Sequence, residues 1–504
     1  MAVEGKSPII VHLLVVGFHH SKGSVIEYAY PKFTNQSGEE SGVIEAPKEW
    51  SDLVHLCIPD GAHNSDQDTV YFTLPGRKND STASSVYYGV ACYRQTATRD
   101  LKYTPDEAIR PTMIKSVCVL CTQPLFGTIE TRLNVVTHAY FNEGDFRKVS
   151  VLEELYHSLC TTLTAVPTAD LSQFGANPGL IVKNYDRATL QLFKALLLQS
   201  KVLLVGSCAR VTCCHTLSLY SLIPNALESL LNEQLAMNSG IYFSAFSDPN
   251  CLRPFVCLSQ TNALRSKHYK WTLAGAINPL FGIQQKSYCD VFGSATDGNV
   301  VANESELHRA LQLTTADLRF CEMLSRGISE GRDSSKIDQT SPTSWYGSDE
   351  WIRAQFREYT KSLIVTSIRG DTASKDDFNS HFIRLWLKSE CFLDCVNKYV
   401  PSGSSHVGLL ESIPAYHMCA GRYTWGDIRR KVTSNTSDIQ VVASEIAEQV
   451  KSSKVGTAVG KIFNTATTSI WSWWNSTGQE ESPQEQRQMP QMTAKETTKP
   501  PSTS

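Results

Sequence analysis

The sequence predicts an α/β protein made of two sheet-bearing modules and a helical remainder. Three observations carry this. Strand-length apolar and alternating runs fill the first 145 residues. Helical and strand-like apolar runs alternate between about 180 and 295. Strand signals stop after 304. The 504 residues suffice for about three domains. Apolar residues make up 41% and charged residues 19%, which suits a chain with a sizeable core and excludes a mostly disordered chain or a coiled coil. The 47 Lys and Arg nearly balance the 50 Asp and Glu, so no strongly basic nucleic-acid footprint covers the chain.

Residues 9–16 form a continuous apolar run, as in a central strand, and 25–30 alternate after the turn Ser21-Lys22-Gly23, so the pair reads as a hairpin. Residues 54–58, 69–74, 86–93 and 116–120 read as further strands, with the loop 75–82 between two of them. Helices follow at 131–141 and 150–163, giving an antiparallel sheet with helices packed on it. After a link at 165–179 the pattern changes. Residues 186–199 are helical, 201–205 a buried strand, and 211–222 a second apolar helix stopped by Pro224. Strands are expected at 255–258 and 288–292, and helices at 304–326, 349–367 and 378–398, with a polar link at 329–343. The tail 475–504 holds three apolar residues among Gln, Glu, Ser, Thr and Pro, and reads as disordered.

Catalytic and cofactor signatures are missing. The start of the chain lacks a secretory signal, and no run of 18 apolar residues occurs, so a cytosolic protein without a membrane-spanning helix is expected. Fifteen scattered cysteines then read as buried small hydrophobes. Cys118 and Cys121 lie three apart on an alternating run, so they point to opposite faces of a strand and do not pair for a metal. His19 and His20 have no carboxylate or thiol spaced to join them. The stretch Asp60-Gly61-Ala62-His63 reads as a turn with a capping Asp. The stretch 456–461 has one spacer too few for a phosphate loop, and Ile462 follows where Ser or Thr is needed. Nothing calls for bond-making catalysis, a cofactor, a metal or a small-molecule substrate.

Several blocks occur in order: residues 15–20 (VVGFHH), 59–64 (PDGAHN), 88–94 (YGVACYR), 115–120 (KSVCVL), 137–141 (THAYF), 275–278 (GAIN), 314–320 (TTADLRF) and 349–356 (DEWIRAQF). With them the chain resembles the DENN-domain family, in its Avl branch of late secretory pathway proteins, over roughly residues 8–370. The resemblance implies a longin-like upstream lobe (8–150), a central α/β DENN lobe (180–295) and a helical downstream region (304–430). It also implies engagement of a Rab-family GTPase, with guanine-nucleotide exchange as the expected activity, at Golgi-derived or recycling-endosome membranes. Exchange is a binding event, in which the nucleotide-free GTPase is stabilised without proton or electron chemistry. A non-exchanging GTPase-binding scaffold, or a membrane-associated interaction protein, is the alternative. The individual blocks read as turns and buried helix faces that hold the lobes together, and no GTPase-binding residue is singled out.

The segment 437–474 is amphipathic. Ser437 and Gln440 form a capping box, and Ile439, Val442, Ile446 and Val450 make one stripe. After Lys451-Ser452-Ser453-Lys454 a second stripe begins: Val455, Val459, Ile462, Phe463, Ala466, Ile470, Trp473 and Trp474 fall within about 120° of arc. Its polar face is Gly, Thr, Asn and Ser, and Lys461 is the one charge from 455 to 474. Bulky apolar residues opposite an uncharged polar face make a lipid-packing pattern, in which Val455, Val459, Ile462, Phe463, Ile470, Trp471, Trp473 and Trp474 would meet the membrane surface. A helix docked on the lobes with its tryptophans buried fits the same stripe.

Overall fold

Five strands form the first sheet: β1 (Ile10–His19), β2 (Gly23–Tyr30), β3 (Gln67–Pro75), β4 (Val86–Ala97) and β5 (Thr112–Cys121), in the order β2-β1-β5-β4-β3 with every pair antiparallel. The computed structural model describes residues 8–19, 22–33, 44–76, 86–103, 111–163, 169–331, 345–399 and 412–422, together with 424 and 427. Two compact units divide the chain at Tyr423 and Thr424, and the elements below belong to the first. The hairpin closes at Gly23, whose φ of 76° suits a residue without a side chain. Helices Phe126–Glu143 and Ser150–Thr162 cover one face of the sheet, burying Ile129, Leu133, Leu152 and Leu159.

The second sheet contains β6 (Lys201–Val205), β7 (Leu252–Arg253), β8 (Thr272–Ala276), β9 (Val291–Ser294) and β10 (Val300–Ala302) in the order β10-β9-β6-β8-β7. β6 lies parallel to β8 and β9, β7 parallel to β8, and β10 antiparallel to β9. One face, with Val202, Leu204, Leu273 and Val291, joins the main core beneath helices Ala188–Leu197 and Ala209–Ser221. The other, with Leu203, Ala274 and Ala276, packs on a small separate cluster covered by short helical turns. After Ala302 the described residues hold helices and no strand, the longest being Thr315–Glu330 and Asp349–Arg369.

The mixed α/β class, the hairpin and most elements match the sequence reading. Seven details differ. Residues 54–58 are not a strand: Leu53–Cys57 is a helix, because Leu53, Leu56 and Cys57 turn inward at helical spacing while His55 stays exposed. Residues 255–258 are not a strand either; the β7 ladder stops at Arg253, where Pro254 has no amide hydrogen to donate, and a single further bond runs from the Val256 amide to the Gly275 carbonyl of β8. The strand expected at 288–292 begins at Val291, and β8 was not foreseen. Helices 304–326 and 378–398 are each broken in two. Thr314 and Asp317 build a capping box that starts a new helix at Thr315. The second break follows Ser380–Trp386, where the Ser389 hydroxyl accepts from the Phe392 amide and starts Glu390–Tyr399. Finally, Asp60 caps nothing. Gly61, with φ of 80°, opens the short 3-10 turn Ala62–Asn64, and the Asp60 carboxylate accepts from Asn278 of the second module. The expected segments at 437–474 and 475–504, and most of the links at 75–82 and 329–343, lie outside the described residues.

Candidate functional site

β3 is the outer strand of the first sheet, and it is not left bare. The Tyr71 amide donates to the Cys213 thiol of helix Ala209–Ser221 at 3.3 Å, and the Thr73 hydroxyl reaches the Leu252 carbonyl at the entry to β7. At the start of the same helix, the first amides point at a carboxylate from the other module. Asp68 accepts from the Ala209 amide at 2.7 Å and the Arg210 amide at 3.0 Å. The position where an α/β sheet commonly receives an anionic ligand, the helix start after its central strand, is thus filled internally.

The side chain of the same Arg210 grips Glu130 of helix Phe126–Glu143 with its Nε at 2.5 Å. The buried Tyr71 hydroxyl donates to the other Glu130 oxygen. Burial and the adjoining carboxylate push the Tyr71 phenol well up, so it stays a donor, and the Glu130 bond holds Arg210 charged. Glu130 is 8% exposed and Arg210 51%. The pair therefore faces water on the arginine side.

Two adjoining concavities share Glu130, Thr131 and Arg210 and make one groove along helix Phe126–Glu143. The part of about 650 Å³ is lined by Gln67, Arg94, Asn134, Val135 and His138. The part of about 820 Å³ runs past Gly127 and Phe174 to Asp349, Glu350 and Arg353. Gly127 belongs there because a Cβ would lie 2.3 Å from the Phe174 carbonyl oxygen. Arg353 donates to the Ala176 carbonyl at 2.9 Å, and Asp349 accepts from the Gly179 amide at 2.8 Å. The groove carries Arg94 at one end and, at the other, Asp170, Asp349 and Glu350, the last paired with Arg353 and Arg357. Arg94 makes no ion pair among the described residues. Val135 and Phe174 stand exposed on its walls. Arginine and apolar side chains with a polar rim are the make-up of a protein-binding surface. No nucleophile paired with a base lines it, and among the described residues no group of three His, Cys, Asp or Glu is arranged to hold a metal.

A second charge centre lies in the dry core. Lys194 donates to Asp317 at 2.5 Å and to the Phe378 carbonyl at 3.2 Å. Tyr359 donates to the other Asp317 oxygen at 2.8 Å, and His417 Nε2 lies 3.4 Å from it. The Cys419 amide donates to His417 Nδ1, which leaves the proton of a neutral ring on Nε2. Burial raises the Asp317 carboxyl, but Lys194 and His417 outweigh it and hold the group well below the carboxylate range.

Residues of the blocks at 59–64, 275–278, 314–320 and 349–356 join separate parts of the chain: Asp60 with Asn278, Asp317 with Lys194 and Tyr359, Asp349 with the Gly179 amide, and Arg353 with the Ala176 carbonyl. Cys118 and Cys121 are both buried, with their thiols pushed up by desolvation. The eight residues expected at a membrane, Val455, Val459, Ile462, Phe463, Ile470, Trp471, Trp473 and Trp474, lie outside the described residues. No helix among the described residues is long and apolar enough to cross a membrane. Sequence reasoning missed Asp68, Arg94, Glu130 and Lys194. The available signal was a charge inside an apolar run: Lys194 in 190–198 and Arg210 at the start of the apolar helix.

The family model described as "Transport protein Avl9" matches residues 10–239 and 231–367, which include every residue named in the groove. The late secretory pathway protein avl9 of Schizosaccharomyces pombe is 28% identical over 434 residues, covering 78% of this chain and 87% of that protein. The late secretory pathway protein AVL9 of Saccharomyces cerevisiae is 23% identical over 550 residues, covering 94% of this chain and 71% of that protein.

Proposed function

The chain belongs to the Avl9 family of transport proteins, and from that premise we propose that it is a DENN-type regulator of vesicle traffic that engages a Rab-family GTPase through the groove around Glu130 and Arg210. In this reading the first sheet with its helices is the longin-like lobe and the second sheet the central DENN lobe. The observation that carries the proposal is the make-up of the groove. Both sheet modules and the helical region each contribute a wall, and a charge gradient runs from Arg94 to Asp349. A GTPase bound there would touch all three regions at once. Its switch segments would be held by contacts that differ between nucleotide-bound and nucleotide-free states, which is all that exchange requires. Late secretory relatives support a transport role. The C-terminal stripe at 455–474 would add membrane attachment.

The test is release of a fluorescent GDP analogue from a panel of purified Rabs with the full chain added. Acceleration for at least one Rab is the expected result. Binding of a nucleotide-free Rab without acceleration would make the protein a scaffold. Failure to bind any Rab would remove the GTPase reading.

A further inference from the structure

The sparsely covered face of the second sheet differs in charge from the rest of the molecule. Residues 249–289, which supply most of its cover, contain five Lys or Arg and no Asp or Glu, in a chain where acids outnumber bases. The cover is thin: the short helices Thr261–Arg265 and Pro279–Ile283 and the turn Gln285–Ser287 seat Leu264, Phe281 and Tyr288 on Leu203, Ala274 and Ala276. The pieces lock together through Arg265, which stacks on the Tyr288 ring and donates to its hydroxyl at 3.3 Å, while that hydroxyl donates to Gln284. Lys201 ties the layer down through the Leu264 and Ser266 carbonyls.

Two kinds of side chain project from this layer. Leu280 is 46% exposed, and Ile283, at 77%, is the most exposed large apolar side chain among the described residues. Lys267 and Lys286 are exposed and make no ion pair among the described residues, whereas Lys270 is held by Glu390. Three carboxylates border the layer, each accepting from a neutral donor: Asp60 from Asn278, Asp52 from Ser259, and Asp290 from the Lys201 amide. None of the cavities along the seam is lined by these residues.

We propose that this face docks on an anionic phospholipid bilayer, with Ile283 and Leu280 entering the headgroup region and Lys267, Lys286 and Arg265 meeting lipid phosphates and carboxylates. Protruding aliphatic tips on a layer whose own residues 249–289 carry five cations and no acid match a negatively charged leaflet, which needs no shaped pocket to receive them. An acidic protein would satisfy the cations but needs a complementary surface for two projecting aliphatic side chains. The inference stands apart from the GTPase reading and from the C-terminal stripe, and its salt dependence distinguishes it from the latter, which carries one charge.

The experiment uses the full chain carrying Ile462→Asp, Phe463→Asp and Ile470→Asp to silence the C-terminal stripe. Sedimentation is measured with vesicles of phosphatidylcholine alone and with phosphatidylserine added. Binding should require phosphatidylserine and weaken with salt. Lys267→Gln with Lys286→Gln should weaken it about fivefold per cation, the factor for one charge near an anionic leaflet, and charge reversal to Glu should weaken it further. Ile283→Asp should abolish most of it and Ile283→Leu should retain it. Absence of phosphatidylserine-dependent sedimentation in this background, or binding indifferent to the lysine changes, overturns the proposal. Exchange measured in solution without vesicles should be unaltered by the lysine changes, so failure here and failure of the GTPase reading are separate results.

Discussion

The two charge centres differ in one respect, access to water. The Glu130–Arg210–Tyr71 centre joins two modules at the wall of a groove, with half of the arginine in solvent. The Lys194–Asp317–Tyr359–His417 centre joins three helices and the stretch 412–422 with its ionic side chains fully buried. A sealed charge can be held only by its internal partners, since a bare buried ion is costly. A half-wet pair can exchange one partner for water or for another protein at small cost. The first centre is therefore fit for binding and the second for holding the chain together.

The largest test of that contrast is Asp317→Ala. It strands the Lys194 ammonium in the core, removes the acceptor of Tyr359 and breaks the capping box at Thr314. Losing one partner of a buried pair costs about 3–5 kcal/mol. A fall of that order in urea unfolding is expected, with partial recovery when Lys194→Met is added. A loss below about 1 kcal/mol would mean that water reaches the centre.

Acid should separate the two regions. Burial holds the His215 imidazole, on the helix that carries Arg210, down to about 4. An unfolded histidine takes its proton near 6.5, so stability falls as pH drops from about 6.5 toward 4, by about 3 kcal/mol in total. Asp317 is depressed below its unfolded value near 3.9, so its contribution is complete above about 4 and is lost only below that. Hydrogen exchange should therefore rise first in helix Ala209–Ser221, while Thr315–Glu330 stays protected to lower pH. Simultaneous loss would show that the regions unfold as one unit.

Much of this architecture was legible in the sequence because it rests on periodicity. The apolar run at 9–16 is buried on both faces, as a continuous run reports, and the helix at 150–163 buries the one face that its spacing marks. Residues 53–57 misled because five residues fit both periods, and only burial of Leu53, Leu56 and Cys57 together decides. β8 was missed because its Gly and Ala are poor strand signals. The structure explains Gly275: a Cβ there would lie 2.3 Å from the Pro254 carbonyl oxygen. The groove was not legible, since Gln67, Arg94, Glu130 and Arg210 come from separate elements and polar residues carry no period. The cover of the second sheet was legible in part, as a stretch without acids, but which of its cations stand free depends on the fold.

The smallest stability effects should come from the groove itself. Glu130→Gln keeps an acceptor for Tyr71 and releases Arg210 to water, a cost of about 1 kcal/mol or less. Arg94→Glu touches no partner in the described structure and should leave unfolding unchanged within about 0.5 kcal/mol. Both should be felt by a bound GTPase. Reversing the charge at the basic end flattens the gradient from Arg94 to Asp349, so association should slow, and slow most at low salt, where the Debye length is long. Stopped-flow binding of a nucleotide-free Rab at two salt concentrations measures this directly. If Arg94→Glu leaves the association rate unchanged while the Rab still binds, the partner sits elsewhere. The half-wet centre would then be a second structural joint that happens to touch water.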